Sequence, residues 1–280
     1  MSSSRFALPA CVICLVLAST PVHADDHPML DYFSVSGGVF ANSFSGSLRA
    51  DGSFKNSGTT LDFSRDLGEG GTRYLPFLNV TWRPWDRHEF EFDYYHDSSS
   101  HSRTLNRSLE FNNQTLLVDT TLKSDFTLDA YGLTYRYWAW IGDKGAFALA
   151  GGLQAYSFDL KLTGTVSASG AGGGASASRE GHAKASTNLP DPSIGLSYRY
   201  QFESWARFVT DAGAFKANIG NIDATLYNFR LGVEFYPWEN WAIITQYSYN
   251  KIDADVDKDR FHGNATFRFS GGQVLLKYRF

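Results

Sequence analysis

The sequence predicts an all-β fold: a transmembrane antiparallel up-and-down β-barrel of about ten strands. Three observations predict it. The chain is rich in aromatic residues and glycine, segments of about ten residues alternate apolar and polar side chains, and the tryptophans gather beside short turns. Of the 280 residues, 43% are hydrophobic and 16% are aromatic, which argues against a disordered chain. The 26 glycines spread among them argue against a helical bundle.

Residues 1–24 have the composition of a secretory signal peptide. Arg5 precedes an apolar run over residues 6–18, and a short polar stretch then ends at Ala24. We therefore expect cleavage after Ala24, which leaves one mature domain over residues 25–280.

The signal peptide also holds both cysteines, Cys11 and Cys14, so we expect the mature protein to have none. Its removal takes away one basic residue, Arg5, and no acidic one, so the net charge changes from −4 to −5. A mildly acidic exported protein is a poor candidate for binding nucleic acid. After the signal peptide no apolar run approaches the roughly 20 residues of a spanning helix, so insertion into a membrane has to use strands.

The strands are predicted from side-chain alternation. Even positions over residues 74–82 are apolar, and residues 89–97, 192–202, 227–235 and 274–280 alternate in the same way. We place ten strands near residues 32–45, 72–83, 88–97, 125–140, 145–162, 192–202, 206–216, 224–236, 241–251 and 265–280. Eight strands, or twelve if residues 59–64 and 116–122 are strands, remain alternatives. The pattern is less regular over residues 147–162 and 206–215, where we expect β-bulges.

All tryptophans lie beside short polar links between strands, and they are Trp82, Trp85, Trp138, Trp140, Trp205, Trp238 and Trp241. Indole rings prefer the lipid headgroup layer, so we interpret this set as an aromatic girdle on the periplasmic side. Longer connections alternate with the short ones, at residues 46–71, 98–124 and 163–188. We expect these to be extracellular loops, and the last, made mostly of small and polar residues, to be mobile.

Charged residues within the alternating segments occupy the face opposite the apolar one. We expect a lumen charge layer made of Arg83, Glu89, Glu91, Asp93, Arg136, Arg199, Arg230, Glu234, Lys277 and Arg279. The layer is either a selective constriction or a set of structural ion pairs, and the second is favoured because side chains fill small barrels. The expected ion pairs join Arg136, Arg199 and Arg279 to Glu89, Glu91 and Asp93.

A run of alternate aspartates, Asp253, Asp255, Asp257 and Asp259, is a weak candidate metal site. If the preceding strand keeps its phase, these carboxylates lie on the lipid-side face and could share divalent cations with lipopolysaccharide phosphates. A solvated strand end is the favoured interpretation. The chain has no zinc-type spacing and no phosphate-binding loop, so we expect no cofactor.

The signal peptide and the C-terminal residues Tyr278-Arg279-Phe280 carry a resemblance to proteobacterial outer-membrane proteins of the OmpA-like and OmpW-like small β-barrel class. A C-terminal Phe after alternating apolar residues resembles the signal that the barrel assembly machinery reads, which assigns an assembly role to Tyr278 and Phe280. The resemblance implies location in the outer membrane of a Gram-negative bacterium, in contact with its lipid and lipopolysaccharide. It does not imply an activity.

One short motif, His96-Asp97-Ser98, resembles the His-x-Ser of outer-membrane lipid A deacylases, in which His activates Ser for ester cleavage. Ser99 stands where that motif has Asn, and a surface His beside a Ser-rich loop is the simpler interpretation. A protease in a ten-stranded barrel would need inward Asp and His pairs at the rim, and no inward His is evident.

These observations predict an integral outer-membrane barrel that is not an enzyme. Its expected role is structural, or porin-like passage of small solutes through a narrow, charge-lined lumen. The alternatives are a surface adhesin or receptor that acts through the long loops, and, less favoured, a hydrolase that modifies lipid A.

Overall fold

A computed structural model describes residues 27–52, 60–67, 70–104, 109–111, 114–116, 121–168, 177–219, 222–258 and 261–280. The predicted signal peptide and Asp259 lie outside these residues. Within them the chain forms one closed antiparallel up-and-down barrel of ten strands, so the predicted fold class is confirmed. The barrel strands are β1 (Phe33–Gly52), β2 (Thr72–Trp85), β3 (His88–Thr104), β4 (Thr121–Ile141), β5 (Gly145–Ala168), β6 (Ala177–Glu203), β7 (Ala206–Ile219), β8 (Ile222–Trp238), β9 (Trp241–Lys258) and β10 (Phe261–Arg279).

Each barrel strand pairs with its neighbour in the sequence, and β10 pairs with β1 from Ser34↔Arg279 to Gly52↔His262. The segments considered above as two further strands contribute only short pieces. Leu61–Asp62 pairs with β1, and Gln114–Leu116 forms a small separate hairpin with Leu109–Phe111. Helix α1 (Phe63–Leu67) follows the first of these. No helix in the described part of the chain is long and apolar enough to cross a membrane.

The two ends of the barrel differ. Short turns at residues 86–87, 142–144, 204–205 and 239–240 lie at one end, which we call the turn end. The first and last barrel residues meet there, since the Phe280 amide donates a hydrogen bond of 2.9 Å to the Phe33 carbonyl. The opposite end is the loop end.

At the loop end the strands extend further than the alternation predicts. The predicted loops over residues 46–71, 98–124 and 163–188 overlap described strands, because β1 runs to Gly52, β3 to Thr104 and β5 to Ala168, while β4 begins at Thr121 and β6 at Ala177. The reason is physical: beyond the apolar part of the barrel both faces of a strand are polar, so alternation is lost while the backbone ladder continues.

The outward face carries a continuous belt of exposed apolar side chains, among them Ile194 at 70% exposure and Leu133 at 54%. No register shift occurs along β5 and β6, so the β-bulge expected within residues 147–162 is wrong. The alternation looks irregular there because Gly151 occupies an outward position and Tyr156 an inward, buried one. The shift expected near the start of β7 is present, between Ala206 and Arg207.

The lumen is filled by two layers. Its loop-end half is an apolar cluster that includes Phe40, Phe44, Phe77, Phe126 and Phe269, all buried. Its turn-end half is the charge layer described below. A small barrel is expected to fill its interior with side chains. In this barrel an apolar layer and a charged layer follow one another along the barrel axis.

Candidate functional site: the filled lumen

Arg136 is the centre of the charge layer. Its strand, β4, pairs with β3 so that Arg136 lies directly opposite Glu89. The Arg136 Nη1 atom lies 2.9 Å from Glu89 Oε1 and 3.0 Å from Glu91 Oε2, and Nη2 lies 3.2 Å from Asp211 Oδ1. Its Nε donates to Ser197 Oγ at 2.9 Å. One buried guanidinium therefore binds three carboxylates from two strands, as a desolvated cation requires.

Arg230 crosses the bore. It lies on β8, five strands away from β3 in either direction, yet it reaches Glu91 at 3.0 Å and Asp93 at 3.1 Å. An ion pair between opposite walls shows that the lumen is narrow at this level. Arg199 binds Asp211 at 3.1 Å. The expected partners of Arg199 and of Asp93 are therefore wrong, because alternation gives the face of a side chain but not its height or reach in the lumen.

Asp31, which precedes β1, enters the lumen at the turn end. It lies 3.0 Å from Arg207 and also contacts Lys277, and both of these cations bind Glu234, at 3.1 and 2.9 Å. The Tyr236 hydroxyl donates to the same glutamate. Burial alone would raise the pKa of Asp31, but the Arg207 and Lys277 cations outweigh it and lower that pKa below its ordinary value.

The residues around Asp31 plug the turn end. The Pro28 carbonyl accepts a hydrogen bond of 2.7 Å from Arg207. Met29 and Leu30 are buried and pack against Trp138 in a small apolar cluster. We call residues Pro28–Asp31 the N-terminal plug, since they are held in the bore by both ion pairs and apolar packing.

Two predicted lumen cations lie at the rim of this plug. Arg83 is buried and donates to the carbonyl oxygens of Asp31 and Asp86, at 3.4 and 3.2 Å. The Nη1 atom of Arg279 lies 3.7 Å from Asp31 Oδ1, and its Nε donates to the Glu239 carbonyl at 2.7 Å. Arg279 therefore faces the plug and not the glutamates of β3.

Six of the predicted girdle tryptophans are exposed at the turn end, namely Trp82, Trp85, Trp140, Trp205, Trp238 and Trp241. Trp138 is a correction. It is fully buried inside the barrel, where its Nε1 donates to Glu89 Oε2 at 3.1 Å. Trp138 keeps the phase of Arg136, and the bulge that turns the chain comes one residue later, at Ala139, so only Trp140 points outward.

The charge layer contains small cavities lined by described residues. One, of about 70 Å³, lies between the apolar cluster and the ion pairs, and another, of about 50 Å³, lies directly above the N-terminal plug. They share Glu91, Asp211 and Arg230 as lining residues. The larger has room for about five water molecules, which is too little space for a sugar-sized solute.

The remaining predicted residues lie on the outer surface. Asp253 points outward, as predicted, and binds Lys251 at 2.6 Å and Thr266 at 2.9 Å. Asp255 is exposed on the same face, whereas the Asp257 side chain and the whole of Asp259 lie outside the described residues. Among described residues no group of three or more His, Cys, Asp or Glu side chains could hold a metal ion.

His96 and the C-terminal residues also face outward. His96 Nδ1 lies 2.8 Å from Asp129 Oδ1, which accepts a second bond from the Tyr94 hydroxyl at 3.1 Å. The Phe280 ring packs against Tyr278 at 4.7 Å, and the Phe33 ring lies 5.3 Å from it.

Sequence reasoning missed four residues of the charge layer: Asp31, Arg207, Asp211 and Tyr236. Arg207 and Asp211 lie in the irregular segment at the start of β7, where the register shift obscured the inward face. Both residues lie two positions from Val209, which is buried, so alternation around Val209 could have predicted that they face inward. Asp31 has no periodic context, so nothing in the sequence places it inside the barrel.

No protein-family model and no curated protein sequence matches the chain. Solved structures do. The outer membrane protease OmpT from Escherichia coli superposes with a TM-score of 0.56 at 11% identity, covering 88% of this chain and 97% of that one. That likeness is one of fold. A FadL homologue from Pseudomonas aeruginosa gives 0.38 at 7% identity (91% and 92% covered), and Ail from Yersinia pestis gives 0.30 at 11% (87% and 97%). The FadL homologue and Ail are too distant to support any conclusion about this chain.

Proposed function

We propose that this chain is an integral outer-membrane β-barrel protein, exported with a cleaved signal peptide, whose lumen is closed and whose role is structural. The observation that carries the proposal is the contrast between the two faces of the barrel. The outward face is an exposed apolar belt bordered by tryptophans at the turn end, which suits lipid and not water. The inward face is filled and paired.

The lumen favours the structural role over solute passage. Ion pairs cross the bore between opposite walls, the N-terminal plug fills the turn end, and buried aromatic side chains fill the loop-end half. A working pore keeps hydrated charges along a continuous path, whereas here the described charges bind one another.

The test is single-channel recording of the refolded mature protein in a planar lipid bilayer. We expect almost no current and exclusion of sugar-sized solutes in a liposome-swelling assay. An unrelated wide porin, refolded and reconstituted in the same way, is the positive control. A discrete, reproducible conductance of the wild-type protein would replace the structural role with solute passage.

Surface binding is a second candidate because β5 and β6 are unusually long. They have 24 and 27 residues, whereas about 10 tilted residues span a bilayer, so their hairpin extends well beyond the apolar belt. Cells that display the protein should then adhere to epithelial monolayers, and cells that display a barrel with this hairpin shortened should not. Equal adherence by both would remove this candidate.

We also propose that the protein is not a hydrolase. Among the described residues, the His96–Asp129 hydrogen bond favours hydrolysis, because a carboxylate can orient a catalytic histidine. Mass spectrometry of lipid A from overproducing cells decides the matter. Unchanged acyl chains are expected, and loss of an acyl chain would require an enzymatic role.

A further inference from the structure

A segment outside the ten barrel strands packs into the loop-end half of the lumen. Leu61 and Phe63 enter the apolar cluster from this segment and are each only 2% exposed. The Phe63 ring lies 5.6 Å from Phe44, 5.8 Å from Phe267 and 6.1 Å from Phe126. One aromatic ring from outside the barrel thus completes an aromatic box inside it.

This segment, Leu61–Leu67, which we call the lid, is held by contacts with the barrel and by hydrogen bonds of its own. It pairs with β1 at two positions, Ser47↔Asp62 and Leu48↔Leu61. Within it, Asp62 Oδ1 accepts a hydrogen bond from the Arg65 amide at 2.7 Å, and the Asp62 amide donates to Asp66 Oδ2 at 2.9 Å. Gly71, with a φ of 106°, separates the lid from β2. Lifting the lid would break its two-residue pairing with β1 but would leave the pairing between the ten barrel strands intact.

A buried amide on β1, two positions before Phe44, has no partner among the described residues. Asn42 is fully buried between Phe40 and Phe44 on the inward face of β1, and within the described residues neither its Nδ2 nor its Oδ1 has a hydrogen-bond partner. A buried amide left unpaired is unfavourable, so such a group in a native lumen indicates a missing partner.

We propose that the Phe63 position is a binding site for a neutral aromatic compound that carries one hydrogen-bonding group, such as a phenol. Its ring takes the place of the Phe63 ring between Phe44, Phe126 and Phe267 when the lid lifts, and its hydroxyl binds Asn42. Asn42 is two residues deeper on β1 than Phe44, about 7 Å along the strand, which is the length of a phenol-sized molecule. A primary amide both donates and accepts, so it suits a hydroxyl.

The test compares 4-fluorophenol with fluorobenzene, by fluorine NMR titration of the mature protein in lipid nanodiscs. The two probes have nearly the same shape but differ in the hydroxyl. We expect the wild-type protein to prefer 4-fluorophenol after correction for partition into empty nanodiscs. The variant Asn42→Leu should bind 4-fluorophenol about 3- to 10-fold more weakly and fluorobenzene equally well, since one buried hydrogen bond is lost. This variant should fold, because it replaces an unpaired buried amide by an apolar group of similar size.

A disulfide across the lid gives an independent test. Leu48 and Leu61 are register partners, so Leu48→Cys with Leu61→Cys can close the lid in a mature chain that has no other cysteine. The oxidised protein should not bind 4-fluorophenol, and reduction should restore binding. The proposal is overturned if the oxidised and reduced forms bind equally, if Asn42→Leu keeps the preference, or if the wild type binds neither probe, in which case a buried water is the partner of Asn42. None of these outcomes affects the closed-barrel proposal.

Discussion

At the scale of single residues, the closure of this lumen depends on which carboxylates its buried arginine and lysine side chains bind. Arg136 contacts Glu89, Glu91 and Asp211, whereas Arg199 contacts Asp211 and two backbone carbonyls. The inward position of both arginines follows from the side-chain alternation along their strands. Their partners do not, because a long side chain can pair at several heights in the bore and across it.

Replacement of the two arginines should therefore have unequal effects. Arg199→Ala leaves Asp211 bound to Arg136 and Ser197, so we expect a loss of about 1–2 kcal/mol. Arg136→Ala leaves buried glutamates with fewer partners, and we expect a loss of about 3–5 kcal/mol. Urea unfolding of the refolded proteins, followed by tryptophan fluorescence, measures both. If both variants were as stable as the wild type and their ion selectivity changed, the structural role of these ion pairs would be contradicted.

Asp31 should make stability depend on pH in a defined direction. Its pKa is lowered in the folded protein by Arg207 and Lys277, so its contribution is complete above its ordinary pKa of about 4 and is lost as the pH falls below that value. We expect Asp31→Asn to lower the urea midpoint at pH 7, and the difference from wild type to shrink in acid. A difference that grows as the pH falls would reverse this assignment.

At the scale of elements, the N-terminal plug is the part that periodicity could not predict. Residues 27–32 carry no alternation, and their position depends on tertiary contacts with β7 and β10. The bulges at the turn end were equally hidden, and they decide which tryptophans face outward. The strands themselves were predictable where one face is apolar, and their polar extensions at the loop end were not.

Removal of the plug should expose the cavity above it. Ser36 is buried and lines that cavity, so we expect Ser36→Cys to be protected from a water-soluble maleimide in the intact protein and to react about tenfold faster when residues 25–31 are deleted. Ser45→Cys, exposed on the same strand, is the control and should react equally in both. Equal protection of Ser36→Cys in both proteins would show that the plug does not seal the bore.

The C-terminal strand should carry an assembly signal that is separate from stability. Phe280 is 64% exposed and packs against Tyr278 and Phe33, so its deletion removes little buried surface. We expect the deletion to reduce the yield in the outer membrane while the protein that is refolded in vitro keeps its urea midpoint. Leu276→Ala, exposed two positions before Tyr278, is a matched control for lost apolar surface. Normal yields of both would leave Phe280 with no assembly role.

At the scale of the whole molecule, the barrel wall has an apolar outer belt and a lumen on its inner side. The contrast between these two faces determines how much of the fold the sequence can predict. Period-2 alternation directly records the contrast between the belt and the lumen, so the fold class and the strand number followed from it. The apolar loop-end half of the lumen was not predicted, because Phe40, Phe44 and Phe269 are apolar at inward positions, where the same alternation leads one to expect polar residues.

The same contrast gives the last prediction. Because the apolar belt is exposed and no described part of the chain covers it, the mature protein should fractionate with the outer membrane. Because every barrel strand is paired on both sides along the belt, the folded form should resist detergent, so unboiled and boiled samples should migrate differently on a denaturing gel. A matched sample unfolded in urea before loading should migrate like the boiled one. Recovery in the soluble periplasmic fraction, with no shift on boiling, would contradict the membrane placement on which the proposed function depends.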